Sequence, residues 1–305
     1  METQRVQWLD VAKGITIILM VLGHTAIPDR LSNFIFAFHM PLFFIASGWC
    51  TSWNKYSFVA YLKKRGQALA IPFFVYSLVV IVLGEIIGAE DISWGGVLLN
   101  GWKGYALWFV PVLFLASMIA KVIMTFIKQR WLRYVVCASL ITLGVCLHYY
   151  HVYLSWTLAT VPYATCLILL GTSLRRFQNY IEKPRWWILV IGFLLTLAIS
   201  YKWRMDLAWN NITPVVLLTL GAVAGTVMVF TFSSYLTKMS WISTILQAIG
   251  KETFIIMAFS QILCLVISHY FTLNKLVEYG LMFSLLFVIV LVKNGINKVA
   301  KRKLL

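Results

Sequence analysis

Charged residues are scarce in this sequence, and acidic residues are the scarcer kind. Only 12% of the 305 residues are charged and only 10 are Asp or Glu, whereas 61% are hydrophobic. A soluble domain of this size has about twice that charged fraction, ~25%, on its surface and in its loops. With a mean hydropathy of +0.85, the composition excludes an ordinary soluble domain and predicts a membrane protein that crosses the bilayer several times.

Cysteine is also sparse, and the five cysteines include no C-x-x-C pair. They lie within apolar runs, which favours packing residues over a disulfide framework or a metal site. The sequence contains no internal repeat, no low-complexity segment and no linker. We therefore predict a single domain over residues 1–305, without an appended soluble domain.

Apolar runs separated by short polar stretches predict an all-α protein with about ten transmembrane helices. No small-residue cleavage site follows the first run, so we expect it to be retained as a span. The predicted segments are approximately 8–27, 31–52, 67–89, 105–127, 132–148, 153–174, 186–202, 212–235, 246–270 and 276–294.

Lys and Arg residues predict the orientation of these segments. If the N-terminus is cytoplasmic, all but five of the 26 Lys and Arg residues lie on the cytoplasmic side. The exceptions are Arg30, Lys103, Lys202, Arg204 and Lys275. This asymmetry predicts that both termini are cytoplasmic. It also explains the net charge of +16 by membrane topology, so the charge does not indicate a nucleic-acid partner.

The first predicted helix carries ionisable residues on one stripe. Lys13 and His24 are separated by about 20° around an ideal helix, and Asp10 and His24 by about 40°. His24 would lie about two-thirds of the way across a ~30 Å hydrocarbon core, and the second helix carries His39. Such groups are costly in lipid and predict a protein interior or a wet cavity. The alternative is a snorkelling Lys13 and a packing His24.

Several motifs resemble the membrane acyltransferase-3 family, in particular its fucose 4-O-acetylase-like branch. The first two are the Lys13-x10-His24 spacing with Asp10 before it, and AFHMPLFFIASGW at 37–49. The others are Lys63-Lys64-Arg65 before Ile71-Pro72, LWFVPVLF at 107–114 and IGKETFIIM at 249–257.

The sequence departs from the family pattern at three places. Lys13 stands where Arg is commoner, so a point charge replaces a bidentate donor. Ala68 and Leu69 occupy positions where a second Arg often lies. The late segment often ends in His, and here Gln261 is present instead. Any role of that His is therefore absent or taken by Gln261.

The resemblance implies transfer of an acyl group, usually acetyl, from cytoplasmic acyl-CoA to a hydroxyl of a surface polysaccharide or a lipid-linked glycan. It implies a multi-pass protein of a bacterial cell membrane, with acetyl-CoA as a donor substrate rather than a permanently bound cofactor. Imidazole is a natural base near neutral pH, so His24 is the candidate general base or acyl acceptor. We expect Asp10 to pair with Lys13 or with the basic loop Lys63-Lys64-Arg65, and His39 to be the nearer neighbour of His24.

Other residues have less specific roles. Lys63, Lys64 and Arg65 are candidates for binding the phosphates of acyl-CoA. Trp108 and Glu252 are candidates for binding substrate, although an interfacial aromatic and a helix-start carboxylate are the alternatives.

Two further motifs are more typical of structural roles than of catalysis. The pair His148 and His151 offers too few ligands to indicate a metal site. Ser47-Gly48 is more typical of close packing or a kink than of a nucleophile. A glycan or lipid transporter, or an inactive scaffold, is the alternative function for the whole chain, because buried charge also occurs on transport pathways.

Overall fold

The computed structural model describes residues 6–25, 27–102, 105–183 and 185–302, and the regular elements in these residues are helices. The α-helices are α1 (Gln7–Gly23), α2 (Asp29–Phe36), α3 (His39–Cys50), α4 (Phe58–Arg65), α5 (Ile71–Ile86), α6 (Trp94–Asn100), α7 (Phe109–Phe126), α8 (Arg130–Tyr149), α9 (Val161–Leu174), α10 (Gln178–Glu182), α11 (Trp186–Lys202), α12 (Val215–Leu236), α13 (Ser240–Lys251), α14 (Thr253–Tyr270) and α15 (Lys275–Arg302).

The all-α, multi-pass architecture is confirmed. Within the described residues, 8 helical stretches are long and apolar enough to cross a membrane. The predicted number of ten is not reached on this criterion because α1 and α11 each contain 17 residues. At 1.5 Å per residue they are about 25 Å long, slightly less than the ~30 Å hydrocarbon core. Ten spans and the orientation of the chain therefore stay predictions.

The topology prediction can be tested with two reporter fusions. We expect a reporter fused after Leu305 to be cytoplasmic and one inserted within residues 202–211 to be exoplasmic, because the excess of Lys and Arg holds the intervening loops inside. Accessibility to a membrane-impermeant reagent measures both. If the two reporters report the same side, the N-in, C-in arrangement of ten spans is wrong.

Helix α1 lies at the centre of the bundle and packs against α2, α3, α12, α13 and α14. The pairs α3–α9 and α11–α12 also pack closely. Most side chains of α8 and α15 are not buried, and many of the exposed ones are apolar. These two helices therefore have the composition of lipid-facing elements.

The α3–α9 contact depends on two glycines. A Cβ atom on Gly48 would overlap the carbonyl oxygen of Ile168, and one on Gly171 would overlap that of Ile45. The absence of side chains lets the two backbones approach directly, as in other membrane helix pairs. The prediction that Gly48 serves close packing is confirmed.

Two breaks in the helices determine where candidate side chains point. Pro41 has no N–H to donate to the carbonyl of Ala37, so α2 and α3 are separated and His39 begins α3. The π-helical turn 66–70 joins α4 to α5 directly after Arg65. Such turns often occur at functional sites.

Candidate active site

The side chain of His24 lies on the walls of two cavities at the C-terminal end of α1. The first, here called the histidine cavity, has a volume of about 180 Å³. Its polar and aromatic walls are formed by His24, Phe36, His39, Trp108, Arg204, Asp206 and Trp209. The second, here called the side cavity, has a volume of about 170 Å³ and includes His24, Tyr105, Ser260 and Gln261. An imidazole that contacts both cavities can meet small molecules from either side.

His24 and His39 form a close pair, as the sequence analysis predicts. Their ring centroids are 6.4 Å apart and the rings are nearly perpendicular. Phe36 packs edge-on against both rings, with centroids 5.6 Å from His24 and 4.8 Å from His39. His39 is only 1% exposed, whereas His24 is exposed to the cavities. The hairpin of α1 and α2–α3 therefore holds two imidazoles in one aromatic enclosure.

Hydrogen bonds assign different neutral tautomers to the two histidines. Gln261 Oε1 accepts the backbone N–H of Ala106, so its amide nitrogen is the group that faces His24 Nδ1, at 3.4 Å. Because an amide N–H only donates, His24 Nδ1 accepts and the ring proton is on Nε2. His39 Nδ1 donates to the carbonyl of Ile35 at 2.9 Å, which leaves a lone pair on its Nε2.

Arg204 places a fixed positive charge on the wall of the histidine cavity. Its guanidinium donates to Ser32 Oγ and Asn33 Oδ1, at 3.1 and 3.0 Å, and lies 3.9 Å above the centroid of the Phe36 ring. Burial raises the pKa of the neighbouring Asp206 carboxyl, and the charge of Arg204 opposes that effect. A cation held in this way can stabilise negative charge that develops on oxygen.

A third cavity, here called the basic cavity, lies beside the N-terminal half of α1 and has a volume of about 310 Å³. Its cationic side chains come from three helices: Lys13, Arg65 and Lys251. Lys13 pairs with Asp10 at 3.4 Å, which confirms the expected i, i+3 contact. This cavity is suited to an anionic ligand.

Arg65 is fixed in place by hydroxyl groups. It donates to Tyr61 Oη, Ser47 Oγ and Thr51 Oγ1 at 3.1, 3.0 and 3.2 Å. These bonds tie α4 to the end of α3 and direct the guanidinium toward the basic cavity. The arrangement explains why the last residue of the basic triplet, rather than its first two, belongs to this cavity.

The basic and histidine cavities are close neighbours. Phe43 and Phe109 line the basic cavity, whereas Met40 and Trp108, near them in the chain, line the histidine cavity. The rings of Phe43 and Phe109 have centroids 5.9 Å apart. Neighbouring positions of α3, and Trp108 with the first residue of α7, therefore line the two cavities.

A comparison with known protein families identifies the family of this chain. A family model described as an acyltransferase domain matches residues 6–293, nearly the whole chain. The chain belongs to the membrane acyltransferase-3 family. No curated protein and no solved structure matches it. The fucose-acetylase-like branch is not distinguished by this match.

The structure brings together some of the predicted site residues of the acyltransferase and leaves others apart. Trp108 is buried and joins His24 and His39 in the histidine cavity. Asp10 is near Lys13, at the opposite end of α1 from His24.

Three predicted residues do not line these cavities. Lys63 is exposed, and Lys64 donates to Tyr56 Oη. Glu252 pairs with Lys293 and lines an apolar groove that shares Ile17 and Lys251 with the basic cavity. Among the described residues, no group of three His, Cys, Asp or Glu could hold a metal ion.

Arg204 is the main residue of the histidine cavity that the sequence analysis did not select. It is one of the five Lys and Arg residues that the predicted topology places on the exoplasmic side. This unusual position could have indicated Arg204 from the sequence. A cation that does not serve topology is a candidate for a functional role.

Proposed function

We propose that this acyltransferase moves an acetyl group from cytoplasmic acetyl-CoA to a hydroxyl of a surface polysaccharide or a lipid-linked glycan. The observation that supports it is the pair of cavities along α1, basic around Lys13 and imidazole-lined around His24. The rise between these two residues is about 16 Å, so a long flexible donor is needed to connect them. Acyl-CoA has an anionic end and a long arm that ends in a thioester.

The donor would bind with its phosphates at the basic cavity. Lys13, Arg65 and Lys251 provide charge-assisted hydrogen bonds, which are stronger than neutral ones. The thioester arm would pass Phe43 and Phe109 to reach the histidine cavity. Ser47 and Cys50 also line the basic cavity and offer further polar contacts.

In the reaction, the acceptor oxygen attacks the thioester carbonyl carbon, the carbon–sulfur bond breaks and CoA leaves as the thiol. The sequence analysis assigned the base to His24. The tautomers favour a different division, in which His39 Nε2 takes the hydroxyl proton and the Nε2–H of His24 binds the carbonyl oxygen. Arg204 would add positive charge beside that oxygen. The proton taken from the acceptor finally reaches the departing thiolate.

Arg65→Gln tests the donor site. We expect it to weaken acetyl-CoA binding about 10-fold or more, because a hydrogen bond to a charged group contributes roughly 1.5–3 kcal/mol. Lys63→Gln is the matched control, since Lys63 lies two residues before Arg65 in the same helix but does not line the basic cavity. Equilibrium binding of labelled acetyl-CoA to the purified protein measures both. Equal affinity of the two variants would contradict the donor site.

The reaction itself is tested with labelled acetyl-CoA and purified protein in proteoliposomes that contain glycan acceptors. We expect the label to appear in an alkali-labile ester on the glycan. A transporter would move glycan without consuming acetyl-CoA, and a scaffold would do neither. Acyltransferase-3 membership favours the first outcome over the other two.

A further inference from the structure

A fourth cavity, here called the outer cavity, has no role in the proposed reaction. Its volume is about 260 Å³ and it lies between the loop after α8, the start of α9 and the loop between α11 and α12. Its polar and aromatic lining consists of His148, His151, Tyr153, Thr157, Thr160, Trp209, Asn210 and Asn211. Drug-sized ligands occupy sites of ~300–1,000 Å³, so this cavity suits a smaller unit.

The chemistry of the outer cavity fits a neutral, hydroxyl-rich ligand. None of the described residues that line it is Lys, Arg, Asp or Glu. Amide and hydroxyl groups can both donate and accept, as sugar hydroxyls require. Tyr153 and Trp209 are 66% and 47% exposed and offer aromatic faces for the apolar side of a ring.

Backbone strain is concentrated around this cavity. In the described residues, the non-glycine residues with positive φ are His151, Trp156, Thr157 and Asn210, with φ between 51° and 61°. Three of them line the outer cavity and Trp156 adjoins Thr157. Such conformations are unfavourable for residues with a Cβ and tend to persist where a site requires them.

Two polar groups at the cavity have unused hydrogen-bonding capacity. Thr157 and Asn210 are 7% and 5% exposed, and Thr157 Oγ1 and Asn210 Oδ1 have no hydrogen-bond partner among the residues that the structure describes. The amide nitrogen of Asn210 donates to the carbonyl of Gly144 at 3.0 Å, which fixes the orientation of the side chain. Buried polar atoms without partners are uncommon and are often completed by a ligand or water.

The outer cavity adjoins the histidine cavity. Ala208 and Trp209 line both. The loop that carries them is closed by backbone hydrogen bonds between Asp206 and Asn211, at 3.0 and 2.8 Å. Asn211 also donates to the carbonyl of Arg204 at 3.2 Å. One short, braced loop therefore forms the wall between the histidines and the outer cavity.

We propose that the outer cavity is a subsite for a neutral sugar unit of the acceptor, next to the unit whose hydroxyl is acylated in the histidine cavity. The proposal rests on the proposed function for the reaction but not for the binding of sugar. A ring in the outer cavity contacts Tyr153 and Trp209, while the adjoining ring extends past Trp209 toward His24. Acceptors with a neutral unit next to the acylated one are therefore preferred over single sugars.

The test compares Tyr153→Ala with Tyr150→Ala in the purified full-length protein. Tyr150 is 71% exposed and lies in the same connection, but it does not line the cavity. The probes are methyl glycosides of neutral monosaccharides and disaccharides. Binding is measured by saturation-transfer NMR, and transfer is measured with labelled acetyl-CoA.

We expect Tyr153→Ala to weaken disaccharide binding about tenfold and to raise the disaccharide KM to the same degree. The KM for acetyl-CoA and for monosaccharides should not change, and Tyr150→Ala should behave as wild type. The subsite is overturned if wild type binds no neutral disaccharide, if it prefers monosaccharides, or if Tyr153→Ala affects both sugar classes equally. Disaccharide binding at Tyr153 without any transfer from acetyl-CoA would support the subsite and count against the proposed function.

Discussion

Replacing His24 with alanine is expected to lower the rate of acyl transfer by about 10²–10³-fold, the typical loss when one hydrogen-bond donor to a developing oxyanion is removed. The variant should remain folded, because the side chain of His24 lies on cavity walls and alanine keeps the backbone N–H with which this residue caps the C-terminal end of α1. Within the part of the chain that the structure describes, the side-chain hydrogen bond that the variant loses is the 3.4 Å contact with Gln261. The rate is measured as labelled ester formed from acetyl-CoA by monodisperse protein.

His24→Gln separates the two possible roles of this side chain. Glutamine keeps an N–H donor near the position of Nε2 but cannot accept a proton or carry an acyl group. If His24 donates to the thioester oxygen, His24→Gln should be at least about tenfold faster than His24→Ala, since the donor remains. If His39 is the base, His39→Gln should be as slow as His39→Ala, because glutamine cannot take up the proton. If His24→Gln is as slow as His24→Ala, the base or acyl acceptor is His24 itself.

The second large effect concerns stability. Gly48→Leu should destabilise the protein by roughly 3 kcal/mol or more, because the new side chain would overlap the backbone of Ile168 in α9. Gly280→Leu is the matched control, since a Cβ there meets nothing within 4 Å. The melting temperature of each variant is measured in detergent, as the temperature at which the monodisperse protein peak is lost. Similar melting temperatures for the two variants would contradict the close approach of α3 and α9.

The helical, multi-pass fold follows from apolar runs that are long enough to cross a bilayer, so it could be predicted without the structure. The proximity of Lys13 to Asp10 and of His24 to His39 could also be predicted. The first follows from helix periodicity, and the second from a hairpin between consecutive helices. In both pairs the two residues are close to each other in the sequence.

Other parts of the site could not be predicted because they depend on contacts between distant segments. Lys63 and Arg65 are equivalent by charge, and only the hydroxyls of α3 show that Arg65 belongs to the basic cavity. Arg204 is held on the wall of the histidine cavity by hydrogen bonds to Ser32 and Asn33, about 170 residues earlier in the chain. Periodicity carries no information on such pairings.

Gln261 is an intermediate case. The family resemblance shows that Gln261 stands where a His is commoner, and it therefore singles out this position. The sequence does not predict that the backbone N–H of Ala106 orients the amide of Gln261 toward His24. A backbone donor from another element fixes the direction of that side chain.

Mass spectrometry of surface glycans tests the central claim most directly. Cells that lack this gene are compared with the same cells carrying wild type or His24→Ala at equal membrane abundance. The account predicts an alkali-labile acetyl ester on a glycan with wild type, and its loss both without the gene and with His24→Ala. Equal acetylation with His24→Ala and wild type would contradict the assignment of the active site to the histidine cavity.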